Sequence, residues 1–145
     1  MLEIRQAQPD DIFSVIHLAY DTLPERYNPA IFNQFYESFP EGFLVAELHH
    51  TLLGFLVGTR IARDKARILM LAVKKQQQRR HIGSSLLIRF LSDMRNLGIT
   101  EVELEVRTTN LIAIEFYKKQ GFAIQETLPG FYQNGEAAYL MCRDL

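Results

Sequence analysis

Four cations, Lys74, Lys75, Arg79 and Arg80, fall within seven residues of a chain whose formal net charge is -1. A cluster this dense is a local anion site. An apolar stretch, Ala66 to Val73, leads into it, and a helical apolar period starts at Ile82. The segment Gln78-Arg79-Arg80-His81-Ile82-Gly83-Ser84 therefore opens a helix after a strand. The first turn of a helix offers unpaired backbone N–H groups and the positive end of its dipole. Together these bind phosphate oxygens, and Gly83 allows close approach to the backbone. A diphosphate fits such a loop. The plainer reading is a solvated basic turn that caps a helix. No Gly-Lys-Ser/Thr follows, so this is neither a Walker loop nor a dinucleotide fingerprint.

The elements that position this loop follow from periodicity. Leu2 to Gln6 alternates as a short strand, and Pro9-Asp10-Asp11 opens a helix with Ile12, Val15, Ile16, Ala19 and Leu23 on one face. Pro24 ends it, and Pro29 begins a second helix. Phe43 to Leu48 and Leu52 to Ile61 read as a hairpin turning at His49-His50-Thr51, with Ala66 to Val73 a third strand. Ile82, Leu86, Leu87, Phe90, Leu91, Met94 and Leu97 keep the spacing of a long helix, stopped at Gly98. From Thr100 to Arg107 the alternation is strict: Val102, Leu104 and Val106 against Glu101, Glu103 and Glu105. Thr109 caps a helix from Asn110 to Gln120, and strands at Phe122 to Thr127 and Ala137 to Cys142 close the chain. A helical crossover joins Ala66–Val73 to Thr100–Arg107, so those strands should be parallel within an otherwise hairpin-rich, mixed sheet.

Composition narrows the function. With 145 residues, 48% apolar and 23% charged, one domain over 1–145 with a real core is expected. Net charge excludes a nucleic-acid glove, and the basic segment has no interleaved aromatic residues. A single cysteine, Cys142, and an N-terminus without a signal pattern point to a reducing, cytoplasmic setting, and no apolar run spans a membrane. Cys142 is expected in the core. His49 and His50 are poorly spaced for a metal, and none is expected.

The chain resembles the GNAT superfamily of N-acetyltransferases. Its loop is similar to their motif Q/R-x-x-G-x-G/A, with Gln78 first, Gly83 last and His81 at the middle glycine. Leu104-Glu105-Val106-Arg107-Thr108-Thr109-Asn110 resembles the L-E-V-R-x-x-N block of archaeal N-terminal acetyltransferases and the ribosomal-protein alanine acetyltransferase. Ala113 to Phe122 resembles A-I-x-x-Y-x-K-x-G-F, and Gly130-Phe131-Tyr132 with Gly135 to Met141 resembles G-Y-Y…G-E-D-A-Y-L-M. Leu23-Pro24-Glu25-Arg26-Tyr27 is similar to L-P-E-x-Y. The likeness runs over nearly the whole chain.

The resemblance implies an α/β fold: a largely antiparallel central sheet, a parallel β-α-β half that binds the cofactor, and helices on both faces. It implies acetyl-CoA as donor and the α-amino group of a protein N-terminus as acceptor. Leu71, Ala72 and Val73 would hold the pantetheine arm and acyl carbonyl. Gln78, Arg79, Arg80, His81, Ile82, Gly83 and Ser84 would hold the pyrophosphate, and Asn110 would contact the coenzyme. A free α-amine titrates at about 7.7–8.0, so a modest base suffices. Glu105 is that base by resemblance, with Glu25 a second candidate, and Tyr117 is the acid for the departing thiolate. Leu23, Pro24, Glu25 and Tyr27 would form one wall of the acceptor groove, Phe131 and Tyr132 the other. Some relatives place a histidine base where this chain has Arg67, which cannot take a proton. Each assignment has a plain counterpart: a solvated glutamate face, a core tyrosine, a capping asparagine, an exposed Leu-Pro turn. A small-molecule or lysine acetyltransferase and a non-catalytic acyl-CoA-binding module are the competing functions. A monomer or weak homodimer is expected, with room for an auxiliary subunit.

Overall fold

The computed structural model describes residues 1–77 and 81–145. Gln78, Arg79 and Arg80, three expected phosphate contacts, lie outside the described residues. Seven strands form one sheet: β1 (Glu3–Gln6), β2 (Phe43–Leu48), β3 (Thr51–Ala62), β4 (Lys65–Val73), β5 (Glu101–Arg107), β6 (Ala123–Leu128) and β7 (Ala138–Asp144). Their order is β1-β2-β3-β4-β5-β7-β6, and β4 with β5 is the parallel pair. The helices are α1 (Ile12–Thr22), α2 (Ala30–Ser38), α3 (Ile82–Asn96) and α4 (Leu111–Lys119).

The helices α1 and α3 bury most of the stripe their spacing predicts, with Leu18 added in α1 and Leu97 left exposed just past α3. In α1, Ile12, Val15, Leu18 and Ala19 pack with Phe32 of α2 on Phe43, Val45, Phe55, Val57, Met70 and Ala72. On the opposite face, α3 sets Ile82, Leu86, Leu87, Phe90, Leu91 and Met94 against Leu44, Leu56, Val102, Leu104 and Met141. Each fully buried large side chain contributes about 1.5–3 kcal/mol by leaving water. Phe90 packs directly on the backbone of Gly58, where an added Cβ would lie 2.4 Å from its ring. The β2–β3 hairpin turns on two residues, because Leu48 pairs with Thr51 and both His49 (φ 51°) and His50 (φ 64°) are left-handed. That is the backbone twist favoured in tight hairpins.

An irregularity in β4 shapes the middle of the sheet. Val57 pairs with Met70 and Gly58 with Ile68, leaving Leu69 as an extra residue. This bulge reverses the strand's faces. Ala66 and Ile68 sit in the core beneath α3, whereas Met70 and Ala72, of the same parity, sit beneath α1. The parallel ladder ends here too. Lys65–Ile68 pair with Glu101–Leu104, and from there β4 follows β3 while β5 follows β7.

Two expectations change. Asn110, not Thr109, caps α4: its Oδ1 accepts the Ala113 N–H at 3.1 Å, while the Thr109 hydroxyl donates to Glu136 Oε2 at 3.1 Å. Cys142 is only partly buried, not a core residue. It pairs with Glu103 and so shares the glutamate face, where its Sγ lies 2.7 Å from Gln125 Oε1. Burial with Glu101 and Glu103 nearby pushes its thiol up to about 11. Glu101, Glu103 and Cys142 bring ligand atoms within 4.8 Å of one another. Lys65 already lies between the two carboxylates, 2.7 Å from Glu101 and 3.3 Å from Glu103.

Candidate active site

Where β4 and β5 part, a cleft of about 260 Å³ opens through the sheet. Its lining brings together most of the residues expected to act. Leu23, Pro24, Glu25 and Tyr27 come from the α1–α2 connection, Leu71 from β4, Glu105 from β5, Asn110 and Tyr117 from α4, and Phe131 and Tyr132 from the β6–β7 loop. The cleft has two sides. Alternation along β5 sends Glu105 to the face opposite Leu104 and Val106. Tyr117 packs on the core beneath α3 and α4, edge-on to Phe116 and Phe122. A carboxylate and a phenol thus meet one opening from opposite faces of the sheet.

The phosphate-loop candidates within the described residues form a separate group at the start of α3. Ala72 and Ile82 have their side chains in the core, which leaves their backbone for a ligand. Val73 ends β4 opposite Gly54. The first intrahelical bond of α3 runs from Ser85 N–H to His81 C=O at 3.0 Å, and the Ser84 and Ser85 hydroxyls donate to the same carbonyl. The amides of Ile82, Gly83 and Ser84 precede that bond, as helix-start donors do. A Cβ on Gly83 would stand 3.7 Å from both Val73 and Phe116, so the glycine leaves a cradle one methyl deep between β4 and α4. His81 is exposed and left-handed, φ 62°. The chain bends there as a glycine would, with a side chain attached. Lys74 and Lys75 lie alongside, both exposed. The donor set and the cradle fit a diphosphate with a narrow arm passing over Gly83.

The electrostatics differ across the cleft. Glu105 is half-buried, and burial raises its carboxyl above the usual range; Arg67 opposes this and Glu103 reinforces it. A carboxylate moved toward neutral pH is a better base. Burial holds the Tyr117 phenol above its ordinary value, with Tyr132 adding to it, so it stays protonated and can donate. Burial together with Glu25 raises Tyr27, and the same causes push Tyr132 up to about 12.

Arg107 joins the α1–α2 connection to the β6–β7 loop at the mouth of the cleft. Its guanidinium donates to Glu25 and lies 3.1 Å from Glu136 Oε1, 3.3 Å from Asn134 Oδ1 and 3.9 Å above the Tyr132 ring centroid. Arg107 stands inside the quoted L-E-V-R block, but the partners that reveal its role come from two distant loops.

Residues 12–122 match the model of the Acetyltransferase (GNAT) family. An N-alpha-acetyltransferase of Saccharolobus solfataricus is 31% identical over 98% of this chain and 92% of its own length. The structure of Ard1 from Thermoplasma volcanium superposes with a TM-score of 0.95 at 40% identity, covering 99% of this chain and 97% of that one. Naa20 of Chaetomium thermophilum, solved with a bisubstrate analogue, gives 0.86 at 26% identity over 99% and 86%. Near end-to-end likeness in sequence, and a parted β4–β5 pair with a helix-start loop beside it, place this chain in the GNAT family of acetyltransferases.

Proposed function

We propose that this chain, as one acetyltransferase unit over residues 1–145, moves an acetyl group from acetyl-CoA to the α-amino group of a protein N-terminus. The observation that carries this reading is the two-sided cleft, with Glu105 on one face of the sheet, Tyr117 on the other, and aromatic walls around the acceptor side. The relatives named for N-alpha-acetylation support it.

Acetyl-CoA supplies an activated thioester. The helix-start amides of Ile82, Gly83 and Ser84, with Lys74, Lys75 and the loop residues Gln78, Arg79 and Arg80, would bind its phosphates. Leu71 to Val73 would hold its arm, and the Val73 N–H would meet the acyl oxygen. Glu105 takes the proton from the acceptor ammonium, directly or through one water, leaving the neutral amine to attack. Tyr117 gives its proton to the leaving sulfur, and the second proton, shed by the nitrogen as the amide forms, restores the phenol. Glu25 and Tyr27 with Phe131 and Tyr132 hold the acceptor backbone. Both reactants sit together in the cleft, so no acyl-enzyme is needed, and Cys142, outside the cleft lining and raised to about 11, takes no part.

The test is thiol release from acetyl-CoA over short peptides with free N-termini, beside the same peptides blocked at the α-amine but carrying free lysine. Turnover confined to free N-termini supports the reading. Turnover on free lysine or a small amine alone moves the acceptor class, and coenzyme binding without turnover on any amine leaves a binding module.

A further inference from the structure

On the glutamate face the charges form a ladder. Lys65 lies 2.7 Å from Glu101 and 3.3 Å from Glu103. Arg67 is in register with Glu103 on the parallel strand, and its Nε donates to Glu103 Oε2 at 2.8 Å. The same Nε is 3.4 Å from Glu105 Oε2. Glu103 is the one buried charged residue among those described, at 4% exposure. A buried carboxylate demands a fixed cation, so Arg67 is anchored on its Glu103 side and offers Glu105 a charge that cannot swing away.

We propose that Arg67 is a positioning residue for acetyl transfer: braced by Glu103, it aims the Glu105 carboxylate into the cleft and keeps it ionised to receive the acceptor's proton. This rests on Glu105 acting as the base. Arginine itself cannot take a proton, so its part is to act on the neighbouring glutamate. The groups that bear on Glu105 are Arg67 from β4, Glu103 on its own strand and Tyr132 from the β6–β7 loop, with Glu25, Tyr27, Tyr117 and Arg107, the last held by Glu25 and Glu136, also lining the cleft. Arg67 is the cation beside it. Burial and Glu103 favour the neutral acid, and Arg67 opposes both.

The experiment is the pH profile of kcat/KM for a free-N-terminus peptide, with rates divided by the protonated fraction of the peptide amine, the form that gives its proton to Glu105. The limb that remains belongs to the enzyme. Arg67→Met should move that limb to higher pH, with about a fivefold loss near pH 6 that shrinks on the alkaline side. Arg67→Lys, which keeps the charge, should recover most of it, and KM for acetyl-CoA should not change. In a Glu105→Gln background, Arg67→Met should move nothing further. Should Arg67→Met fail to fold because Glu103 loses its arginine, Arg67→Met with Glu103→Gln is compared with Glu103→Gln alone, against which the limb should again move to higher pH. A limb lost in Glu105→Gln but unmoved by Arg67→Met overturns the proposal while leaving Glu105 as base. A limb that survives Glu105→Gln intact overturns the base assignment, and the role of Arg67 with it.

Discussion

Arg107 and Glu25 are 82 residues apart in sequence and hydrogen-bonded in the fold. One guanidinium, placed at the end of β5, thereby joins the α1–α2 segment to the β6–β7 loop, because it also reaches Glu136 and covers the Tyr132 ring. Two walls of the cleft, which the proposed function gives to the acceptor, are thus tied by a single side chain. Arg107→Gln should therefore raise the KM for peptide about tenfold, or ~1.4 kcal/mol, and leave the KM for acetyl-CoA alone. The pairs are partly buried at the edge of the cleft but remain in reach of solvent, so stability should fall by about 1 kcal/mol. Steady-state kinetics with each substrate varied in turn would show this. An equal rise in both constants would mean that Arg107 supports the whole site rather than the acceptor walls.

Tyr117 is held protonated by its burial. Its ionisation lies above the ordinary phenol range, so it remains a donor through the neutral and mildly alkaline range, and activity should show no alkaline fall from this group below about pH 10. Tyr117→Phe keeps the ring that packs on Phe116 and Phe122 and removes only the donor. We expect kcat to drop about 100-fold or more, in the range of general acid catalysis, with the thermal midpoint nearly unchanged. Unaltered kcat across the pH range would assign Tyr117 to packing alone.

Asp11 ties the start of α1 to the sheet. It receives Arg5 Nη1 at 2.7 Å, Arg5 Nη2 at 3.1 Å and the Gln8 N–H at 2.7 Å. The Arg5 hydrogen bonds above all, offset in part by burial, hold its carboxyl below the usual range. A lowered folded pKa stabilises above the unfolded value of about 3.9, and that contribution is lost as pH falls through the folded value. Asp11→Asn should cost about 1–2 kcal/mol near neutral pH, and the difference from the parent should narrow in acid, below the unfolded value. Urea unfolding at neutral pH and in acid checks it. A gap that persists in acid would trace the loss to shape rather than charge.

Much of this arrangement is legible in the chain itself, and the exceptions have physical causes. The glutamate and valine alternation from Glu101 to Val106 and the apolar period of α3 are written in side-chain type, and both elements form as their spacing requires. The bulge at Leu69 leaves no such mark. Ile68-Leu69-Met70-Leu71 is apolar throughout, β4 has core on both faces, and a one-residue slip exchanges one buried face for another. Yet that slip marks where β4 leaves β5 and the cleft opens. The Arg107–Glu25 pair depends on two loops meeting, which no local pattern encodes. Asn110 and Thr109 are adjacent good caps, and the backbone decides between them. Gln78, Arg79 and Arg80 keep their place as expected phosphate contacts on sequence grounds alone.

His81 is the point where sequence and backbone pull against each other. The resemblance puts a glycine there, and the backbone takes the conformation glycine favours, φ 62°. A left-handed residue with a Cβ costs about 1–2 kcal/mol. Glycine would remove that cost but would gain freedom in the unfolded chain, so His81→Gly should stabilise by a net ~0.5–1 kcal/mol. For a domain of this size that is a rise of about 2–4 °C in thermal midpoint. The imidazole also stands at the lip of the helix-start donors. Its removal lets a phosphate approach the backbone more closely, and coenzyme A should bind His81→Gly about three- to tenfold more tightly. Calorimetric titration of both proteins with coenzyme A, beside their melting curves, separates the two effects. A higher melting point with unchanged affinity would mean that the imidazole points away from the phosphates. Weaker binding would mean that His81 is itself a phosphate ligand, and that this chain has replaced a glycine's access with a histidine's donor.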